Sequence, residues 1–328
     1  MSDVAKLAGV SHQTVSRVLN DSPAVRPTTR ERVDAAIQAL GYRPNPAARA
    51  LVTRRSRTLG VVSFDSTLHG PASTLYGIEQ AARAAGFFVS VAYLESFEAR
   101  SLQDGLRRLA ERSVEGLVVV APFAETASSV AELQGKVPLV MVGGGSVAGF
   151  ASVSVDQVEG ARLATRHLLA QGVETVLHVA GPTGWLESDG RADGWRAELA
   201  SAGVPEPAMV QGSWSPSAGY AAGRQLAGSG DTEAVFVAND QMALGLLRAF
   251  REEGVRVPQD VLVVGFDDVP EAPYYSPPLT TVRQDFAQVG RRSIDLLLEQ
   301  LTLGRPSDEH VVVPAELVVR ASSVRSPR

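Results

Sequence analysis

The sequence contains no cysteine, which excludes disulfide bonds, cysteine nucleophiles and thiolate metal sites. It has only five histidines, which show no metal-ligand spacing, and it lacks a Gly-x-Ser-x-Gly elbow and a Gly-Lys-Ser/Thr phosphate loop. The run GGGS at 143–146 predicts a strand-to-loop turn rather than a phosphate cradle. We therefore expect no metal, no cofactor and no enzymatic activity. An enzyme is the first of the alternative function classes that these absences disfavour.

Long hydrophobic runs are also missing. No apolar stretch approaches the ~20 residues that a membrane-spanning helix needs. The first ten residues, MSDVAKLAGV, contain no basic segment followed by an apolar core, so they predict no secretory signal. We expect a cytoplasmic protein without a membrane partner. A transport-binding protein, the second alternative, would need such a signal.

Charge is distributed unevenly along the chain. Residues 1–58 carry ten Lys/Arg and four Asp/Glu, a net charge of +6, whereas the remainder carries 21 and 32, a net charge of −11. The two values sum to the overall net charge of −5. A basic head on an acidic body predicts an anionic partner for the head only.

The basic head is predicted to form three short helices, each with its own start and end signals. These signals are Ser2 and Gly9, then Ser11 and Asn20, then a Thr-x-x-Glu capping box at Thr28 and Glu31 with Gly41 at the end. Apolar residues at helical spacing predict a minimal core. They are Val4, Leu7, Val10, Val15, Val18, Leu19, Val33, Ile37 and Leu40.

The second of these helices has the pattern of a DNA-reading helix, in which the N-terminal residues face base edges in the major groove. Gln13 suits the N6/N7 edge of adenine, and Arg17 suits either guanine or a phosphate. The residues expected to contact DNA are Ser11, His12, Gln13, Thr14, Ser16 and Arg17. The alternative is a surface helix with incidental polar residues.

From Leu59 onward, short apolar runs alternate with amphipathic segments that close on glycine, which is typical of parallel, doubly wound sheets. The strand-like runs are LGVVSF, FFVSVAYL, GLVVVAP, PLVMVG, TVLHVAG, AVFVAND and VLVVGFDD. In such sheets ligands bind at the carboxyl ends of strands. Asn239, Asp240, Asp267 and Asp268 directly follow or end apolar runs and are candidates for such a site.

Several segments resemble the LacI/GalR family of bacterial transcription regulators, and the resemblance covers nearly the whole chain. They are DVAKLAGVSHQTVSRVLN, VRPTTRERVDAAIQALGYRPNPAARALVTRR, TLGVV, VANDQMALGLLRAF, VVGFDD and PPLTTVRQDFAQVG. The resemblance implies an N-terminal all-α helix-turn-helix domain and an α/β sensor domain like a periplasmic binding protein, with two doubly wound parallel-sheet subdomains. It also implies a repressor that binds a double-stranded DNA operator and a small-molecule sugar.

The resemblance further implies the domain limits. They are 1–44 for the helix-turn-helix, 45–58 for a hinge helix and linker, 59–328 for the sensor, about 59–156 and 285–311 for its N-subdomain, and about 157–284 and 312–322 for its C-subdomain. In the hinge helix, Asn45 and Ala48 would approach the minor groove. Leu51 stands where the family has a leucine that inserts between base pairs and kinks the DNA. The alternative role for Leu51 is that of a linker leucine that packs on the body.

A homodimer on a near-palindromic operator is a further implication. The segment LHGPAS at 68–73 resembles a helix start near the family's dimer interface and cleft, which makes Leu68, Gly70 and Pro71 candidates. His69 and Glu271 match a histidine and an acid that pair across subunits in the family. No leucine heptad follows the last strand, so we expect a dimer rather than a tetramer. The family usually has a few more residues ahead of DVA.

For the sugar, the resemblance implies planar hydrogen-bonding groups and an aromatic face. The expected contacts are Arg191, Trp214, Asn239, Asp267, Gln284 and Phe286, with Trp185 as an addition. Individually, Asp267 could hold a turn, Phe286 could be core and Arg191 could be a surface ion-pair partner. Trp214 lies in a polar loop and has no obvious core role.

The sequence departs from the family pattern beside this set. Gly143 replaces an aspartate, Val120 replaces an asparagine, and Trp185 and Glu187 are added. A β-galactoside, another β-glycoside and a short oligosaccharide stacked on two tryptophans therefore all stay open as inducers. The resemblance implies that sugar closes the cleft and unfolds the hinges. A co-repressor mode is the alternative within the family.

Overall fold

The structure, a computed structural model, describes residues 1–19, 22–42, 55–64, 68–94, 99–120, 130, 135–146 and 148–325. It divides into two compact units, Met1–Arg57 and Thr58–Arg328. Asn20 and the hinge residues Asn45, Ala48 and Leu51 lie outside the described residues. Within the described part, no helix combines the length and the apolar character that a bilayer crossing requires.

The first unit is a three-helix domain. Its helices are α1 (Ser2–Ala8), α2 (His12–Leu19) and α3 (Pro27–Ala39). Val4, Val15 and Val33, one from each helix, are fully buried at the centre. Gly9 ends α1 in the left-handed conformation, with φ of 62°, which a residue without Cβ adopts at no steric cost. The predicted all-α head is confirmed.

Two details of the head differ from the prediction. Thr28 and Glu31 do not form a capping box, because α3 already begins at Pro27, whose fixed φ suits the first helical position. Ser2 is the first residue of α1 rather than its cap, and Met1 precedes it without a side-chain cap bond.

Two predicted core residues of the head are also exposed. Leu7 lies outside the arc formed by Val4, Ala5 and Ala8 and is 57% exposed. Leu40 follows the last turn of α3 and is 46% exposed. Apolar spacing predicted both as core, but short helices bury only a narrow stripe.

The second unit contains two six-stranded sheets that are flanked by helices. The strands are β1 (Thr58–Phe64), β2 (Phe88–Leu94), β3 (Gly116–Val120), β4 (Leu139–Val142), β5 (Ala151–Val155), β6 (Leu177–Ala180), β7 (Val210–Gln211), β8 (Ala234–Val237), β9 (Leu262–Asp267), β10 (Thr280–Gln284), β11 (His310–Val313) and β12 (Ala315–Val318). The described helices of this unit are α4 (His69–Ala84), α5 (Ala99–Ala110), α6 (Gln157–Leu169), α7 (Leu186–Ser201), α8 (Pro216–Ala227), α9 (Asp240–Glu252) and α10 (Phe286–Leu303).

The two sheets have the same strand order. One runs β11-β5-β4-β3-β1-β2 and the other β12-β10-β9-β8-β6-β7. All pairs are parallel except that of β10 with β12. Strands β4, β8 and β9 are buried along their whole length, because helices cover both faces of a parallel sheet. The predicted pair of doubly wound subdomains is confirmed.

The chain passes between the two sheets three times, at Asp156, at Asp285 and at Pro314. Asp156 and Asp285 are also helix caps, since their carboxylates accept bonds from the backbone N–H groups of Glu159 and Gln288 at 2.9 Å and 2.8 Å. These crossings bring the carboxyl ends of strands from both sheets to one cleft.

Candidate DNA-binding surface and ligand cleft

Helix α2 presents a polar face to solvent. Ser11 Oγ caps the helix by accepting the Thr14 backbone N–H at 3.1 Å, as the sequence predicts. Val15 and Val18 are buried in the core of the head, which fixes the rotation of the helix. The opposite face therefore consists of the expected DNA contacts. His12, Gln13 and Arg17 are exposed, and Thr14 and Ser16 are half-buried.

In the second unit, a cleft opens where strand ends of the two sheets meet. Its volume is about 800 Å³, including space open to solvent. The structure brings all ten residues expected at the ligand site to its wall. They are Leu68, Gly70, Pro71, Trp185, Arg191, Trp214, Asn239, Asp267, Gln284 and Phe286. Parallel strands explain the convergence, because β8, β9 and β10 end at the same edge.

Four side chains form a closed ring of hydrogen bonds on the floor of the cleft. Arg191 Nε donates to Gln157 Oε1 at 2.9 Å, and Gln157 Nε2 donates to Gln284 Oε1 at 2.8 Å. Gln284 Nε2 donates to Asp267 Oδ1 at 2.7 Å, and Arg191 Nη2 closes the ring at 3.5 Å from the same oxygen. Arg191 is 4% exposed, so it is not a surface ion-pair partner.

Gln157, the fourth member of this ring, was not predicted from the sequence. It is the first residue of α6, directly after the first crossing at Asp156. A polar residue next to a subdomain crossing was the available signal, since Gln284, which was expected at the site, directly precedes the second crossing at Asp285.

Burial and charge oppose each other in the ring. Burial raises the pKa of Asp267, and the guanidinium of Arg191 partly offsets that rise. Burial likewise lowers the pKa of Arg191, and the two carboxylates of Asp267 and Glu187 work against that shift. Asp267 also has a φ of 113°, which is unusual for a residue with Cβ. Strained backbone of this kind is concentrated at functional sites.

Aromatic rings form the second wall of the cleft. The rings of Trp185 and Trp214 meet edge to face at 5.7 Å, and Phe64 lies 6.3 Å from Trp185. The guanidinium carbon of Arg191 lies 3.9 Å from the ring centroid of Phe266 behind them. The two tryptophans expected from the sequence are thus neighbours.

The expectation that Trp214 has no core role is wrong. Trp214 is 7% exposed and belongs to the core of the C-subdomain. Its six-membered ring packs so closely on Gly181 that a Cβ there would lie 2.3 Å from it. Asn239 Nδ2 donates to the Trp214 carbonyl at 3.1 Å, and its Oδ1 caps α9 through the Met242 N–H at 2.9 Å. Asn239 therefore positions Trp214.

The N-subdomain supplies the first turn of α4 and the start of α10. His69 and Phe286 meet edge to face at 5.7 Å, and Gly70 faces the same phenyl ring. Leu68 packs against the core cluster of the C-subdomain. Gly143 and Val120, where the family pattern has polar residues, also line the cleft and make this part of it apolar.

A helix-turn-helix unit and a two-sheet ligand-binding unit in one chain define a ligand-responsive transcriptional regulator. Residues 1–45 match the family model described as bacterial regulatory proteins, lacI family. Residues 165–323 match the model of a periplasmic binding protein-like domain.

Curated relatives extend the similarity over the full length. The chain is 35% identical to the lactose operon repressor of Escherichia coli (strain K12), over 98% of this chain and 90% of that protein. It is 35% identical to the HTH-type transcriptional regulator CelR of Thermobifida fusca, over 97% and 96%. It is 33% identical to the HTH-type transcriptional repressor PurR of Erwinia tasmaniensis (strain DSM 17950 / CFBP 7177 / CIP 109463 / NCPPB 4357 / Et1/99), over 100% and 97%.

Solved structures show the same similarity. The lac repressor dimer bound to operator and the anti-inducer ONPF matches with a TM-score of 0.88 at 34% identity, over 98% of both chains. A CelR–cellobiose complex matches with a TM-score of 0.74 at 32% identity, also over 98% of both. The chain belongs to the lacI family of bacterial regulatory proteins. It is a transcriptional repressor of that family and not an enzyme.

Proposed function

We propose that the protein is a cytoplasmic homodimer that represses sugar-utilisation genes and leaves its palindromic operator when a β-galactoside or another β-glycoside binds in the cleft. The DNA-reading residues are those of the exposed face of α2, together with Asn45, Ala48 and Leu51, which lie outside the described residues. The ligand contacts are the ten residues that the sequence predicts for the ligand site and that line the cleft. The domain limits are those expected from the sequence, with the sensor from residue 59 onward.

The observation that carries the sugar assignment is the pairing of a hydrogen-bonded ring with an aromatic wall. Arg191, Asp267 and Gln284 hold one another in fixed positions, so their remaining donors and acceptors are preorganised for hydroxyl groups. Trp185 is half-buried and offers a flat apolar face to the C–H side of a sugar ring, and Trp214 lines the cleft beside it, edge to face. A cleft with both features suits a pyranose better than a wholly apolar or a wholly charged ligand.

The relatives support a glycoside without fixing which one. One is named for the lactose operon, and one structure holds cellobiose in CelR. Gly143 and Val120 change the part of the cleft beside the polar ring, so a different aglycone or second sugar fits there. The second candidate is the alternative within the family, a ligand that acts as a co-repressor and tightens DNA binding, and the PurR repressors among the relatives keep it open.

Fluorescence anisotropy tests the proposal directly. The labelled duplex is the DNA upstream of the protein's own gene, held at fixed salt, and galactosides, cellobiose and other β-glycosides are titrated into the complex. We expect one of them to weaken operator binding by about 100-fold, which needs ~2.7 kcal/mol of coupling between the sites. A sugar that tightens binding would establish the co-repressor mode instead, and a panel without any effect would refute the sugar assignment.

Intrinsic fluorescence provides a matched control, because the chain has three tryptophans. Trp185 and Trp214 line the cleft, whereas Trp195 is fully buried in the C-subdomain, with Nε1 donating to the Val176 carbonyl at 2.8 Å. Trp195→Phe should keep the sugar-dependent emission change, and Trp185→Phe should reduce it. Equal responses in both variants would place the sugar elsewhere.

A further inference from the structure

Glu187 is a carboxyl group of the cleft that takes no part in the hydrogen-bonded ring. It lies in the first turn of α7, between Trp185 and Arg191, and it lines the cleft with both of them. Its Oε2 atom is shielded from solvent and has no hydrogen-bond partner in the described part of the chain. Burial raises the pKa of Glu187, and its own backbone N–H and the charge of Arg191 oppose the rise.

The nearest cation does not satisfy this group. Arg191 directs Nε to Gln157, Nη1 to the carbonyl of Ala238 and Nη2 to Asp267. The wall of the cleft therefore carries two carboxyl groups, those of Glu187 and Asp267, beside one guanidinium, and each of the three nitrogens of that guanidinium already donates to a partner other than Glu187. Among the described residues of the wall, Oε2 of Glu187 is thus a hydrogen-bond acceptor without a partner.

An unpartnered donor lies in the same cleft. Trp214 Nε1 is buried and has no partner in the described residues. Phe64, Trp185 and Trp214 make the surroundings apolar, and in such surroundings an unpaired polar atom destabilises the protein. A hydroxyl group can accept one hydrogen bond and donate another, so it matches an unpaired N–H and an unpaired carboxyl oxygen.

We propose that Glu187 is a specificity-determining residue that binds a hydroxyl of the ligand through Oε2 and makes the cleft select uncharged glycosides over their acidic counterparts. This inference rests on the proposed sugar-binding function. A ligand that carries a carboxylate or a phosphate would place further negative charge beside Glu187 and Asp267, in a site where water screens little. A neutral hydroxyl satisfies the orphaned oxygen without that repulsion.

Pairs of ligands that differ by one carboxylate test the proposal. Calorimetry would compare 4-nitrophenyl β-D-galactoside with its galacturonide, and 4-nitrophenyl β-D-glucoside with its glucuronide. We expect the wild type to bind the neutral member of the accepted pair at least tenfold more tightly. Glu187→Gln keeps the size and removes the charge, and it should reduce that preference at least tenfold, which equals ~1.4 kcal/mol.

Controls separate the possible outcomes. Glu206→Gln alters an exposed carboxylate that pairs with Arg196 outside the cleft, and it should leave the preference unchanged. Glu187→Ser serves as a second variant, with operator binding as the check that each protein is folded. If the wild type binds a sugar and both Glu187 variants keep its preference within twofold, this inference alone is overturned. If the wild type binds no sugar of the panel, the proposed function fails and this inference fails with it.

Discussion

His178 shows how a single buried side chain makes the stability of the C-subdomain depend on pH. It is fully buried on β6, stacks on Phe236 with ring centroids 4.6 Å apart, and shares a hydrogen bond of 2.9 Å between Nδ1 and the Phe236 carbonyl. Burial lowers the pKa of His178 to about 4. The folded protein therefore holds this imidazole neutral where an unfolded chain, with a pKa of about 6.5, would protonate it.

We predict that the protein loses up to about 3 kcal/mol of stability as the pH falls from 6.5 towards 4, because the unfolded state binds a proton that the folded state refuses. His178→Asn retains a donor for the Phe236 carbonyl and removes the titration. Urea denaturation at pH 7.5 and pH 4.5 should show a smaller difference for this variant than for the wild type. An equal difference in both would assign the acid sensitivity to other groups.

At the same scale, the sequence predicted which residues reach the cleft but not what each one does there. Strand ends and motif order were sufficient to place Asp267 and Gln284. The roles of Asn239 as a support for Trp214, of Trp214 as a core residue and of Gln157 as a ring member depend on contacts between segments far apart in the chain. A one-dimensional pattern contains no information about such partners.

At the scale of elements, helices α4 and α10 pack through a pair of glycines. A Cβ on Gly290 would lie 2.2 Å from the carbonyl carbon of Gly77, so the two backbones are in direct contact there. These helices carry Pro71 and Phe286 into the cleft. The close approach therefore sets the shape of the N-subdomain wall.

We predict that Gly290→Ala destabilises the protein by about 1–3 kcal/mol or more and weakens sugar binding, because overpacking pushes α4 and α10 apart. Gly228→Ala is the matched control, since a Cβ there meets only ordinary contacts at 3.6 Å and beyond. It should change the free energy of unfolding by less than about 0.5 kcal/mol. Urea denaturation and calorimetry measure the two effects, and a stable Gly290→Ala protein would contradict the packing argument.

The success of strand prediction depended on how continuous the apolar run was. The runs at β1, β8 and β9 are continuous and apolar, and each is a strand. Strands β5 and β10, ASVSV and TTVRQ, were not identified, because serine, threonine and arginine interrupt their apolar pattern. Their burial comes from the neighbouring strands, from α10 packed on β5 and from α6 packed on β10, and these are tertiary contacts.

At the scale of the whole molecule, the uneven charge distribution predicts that DNA binding and sugar binding respond differently to salt. The head has a net charge of +6 and the rest of the chain −11. Phosphate contacts release counterions, so we predict that operator affinity falls steeply with salt whereas sugar affinity does not. Titrations at several KCl concentrations measure both.

Replacement of Arg17 tests how this one side chain contributes to the salt dependence of operator binding. Arg17→Gln should reduce the slope of log affinity against log salt by about 1 if the side chain contacts a phosphate, and it should relax base preference if it contacts guanine. Arg112→Gln, an exposed arginine of the second unit, should leave both properties unchanged. An unaltered slope together with unaltered base preference would exclude Arg17 from the DNA contact.

The two sheets share one strand order although the sequence has no detectable repeat. Each sheet receives its last strand from one short segment, because β11 joins the first sheet, β12 joins the second, and only Pro314 separates them. During translation, neither sheet can acquire its sixth strand until residues 310–318 have left the ribosome. Completion of both subdomains is therefore a late and nearly simultaneous event, and a nascent chain that stalls before residue 310 leaves two open sheet edges for chaperones to protect.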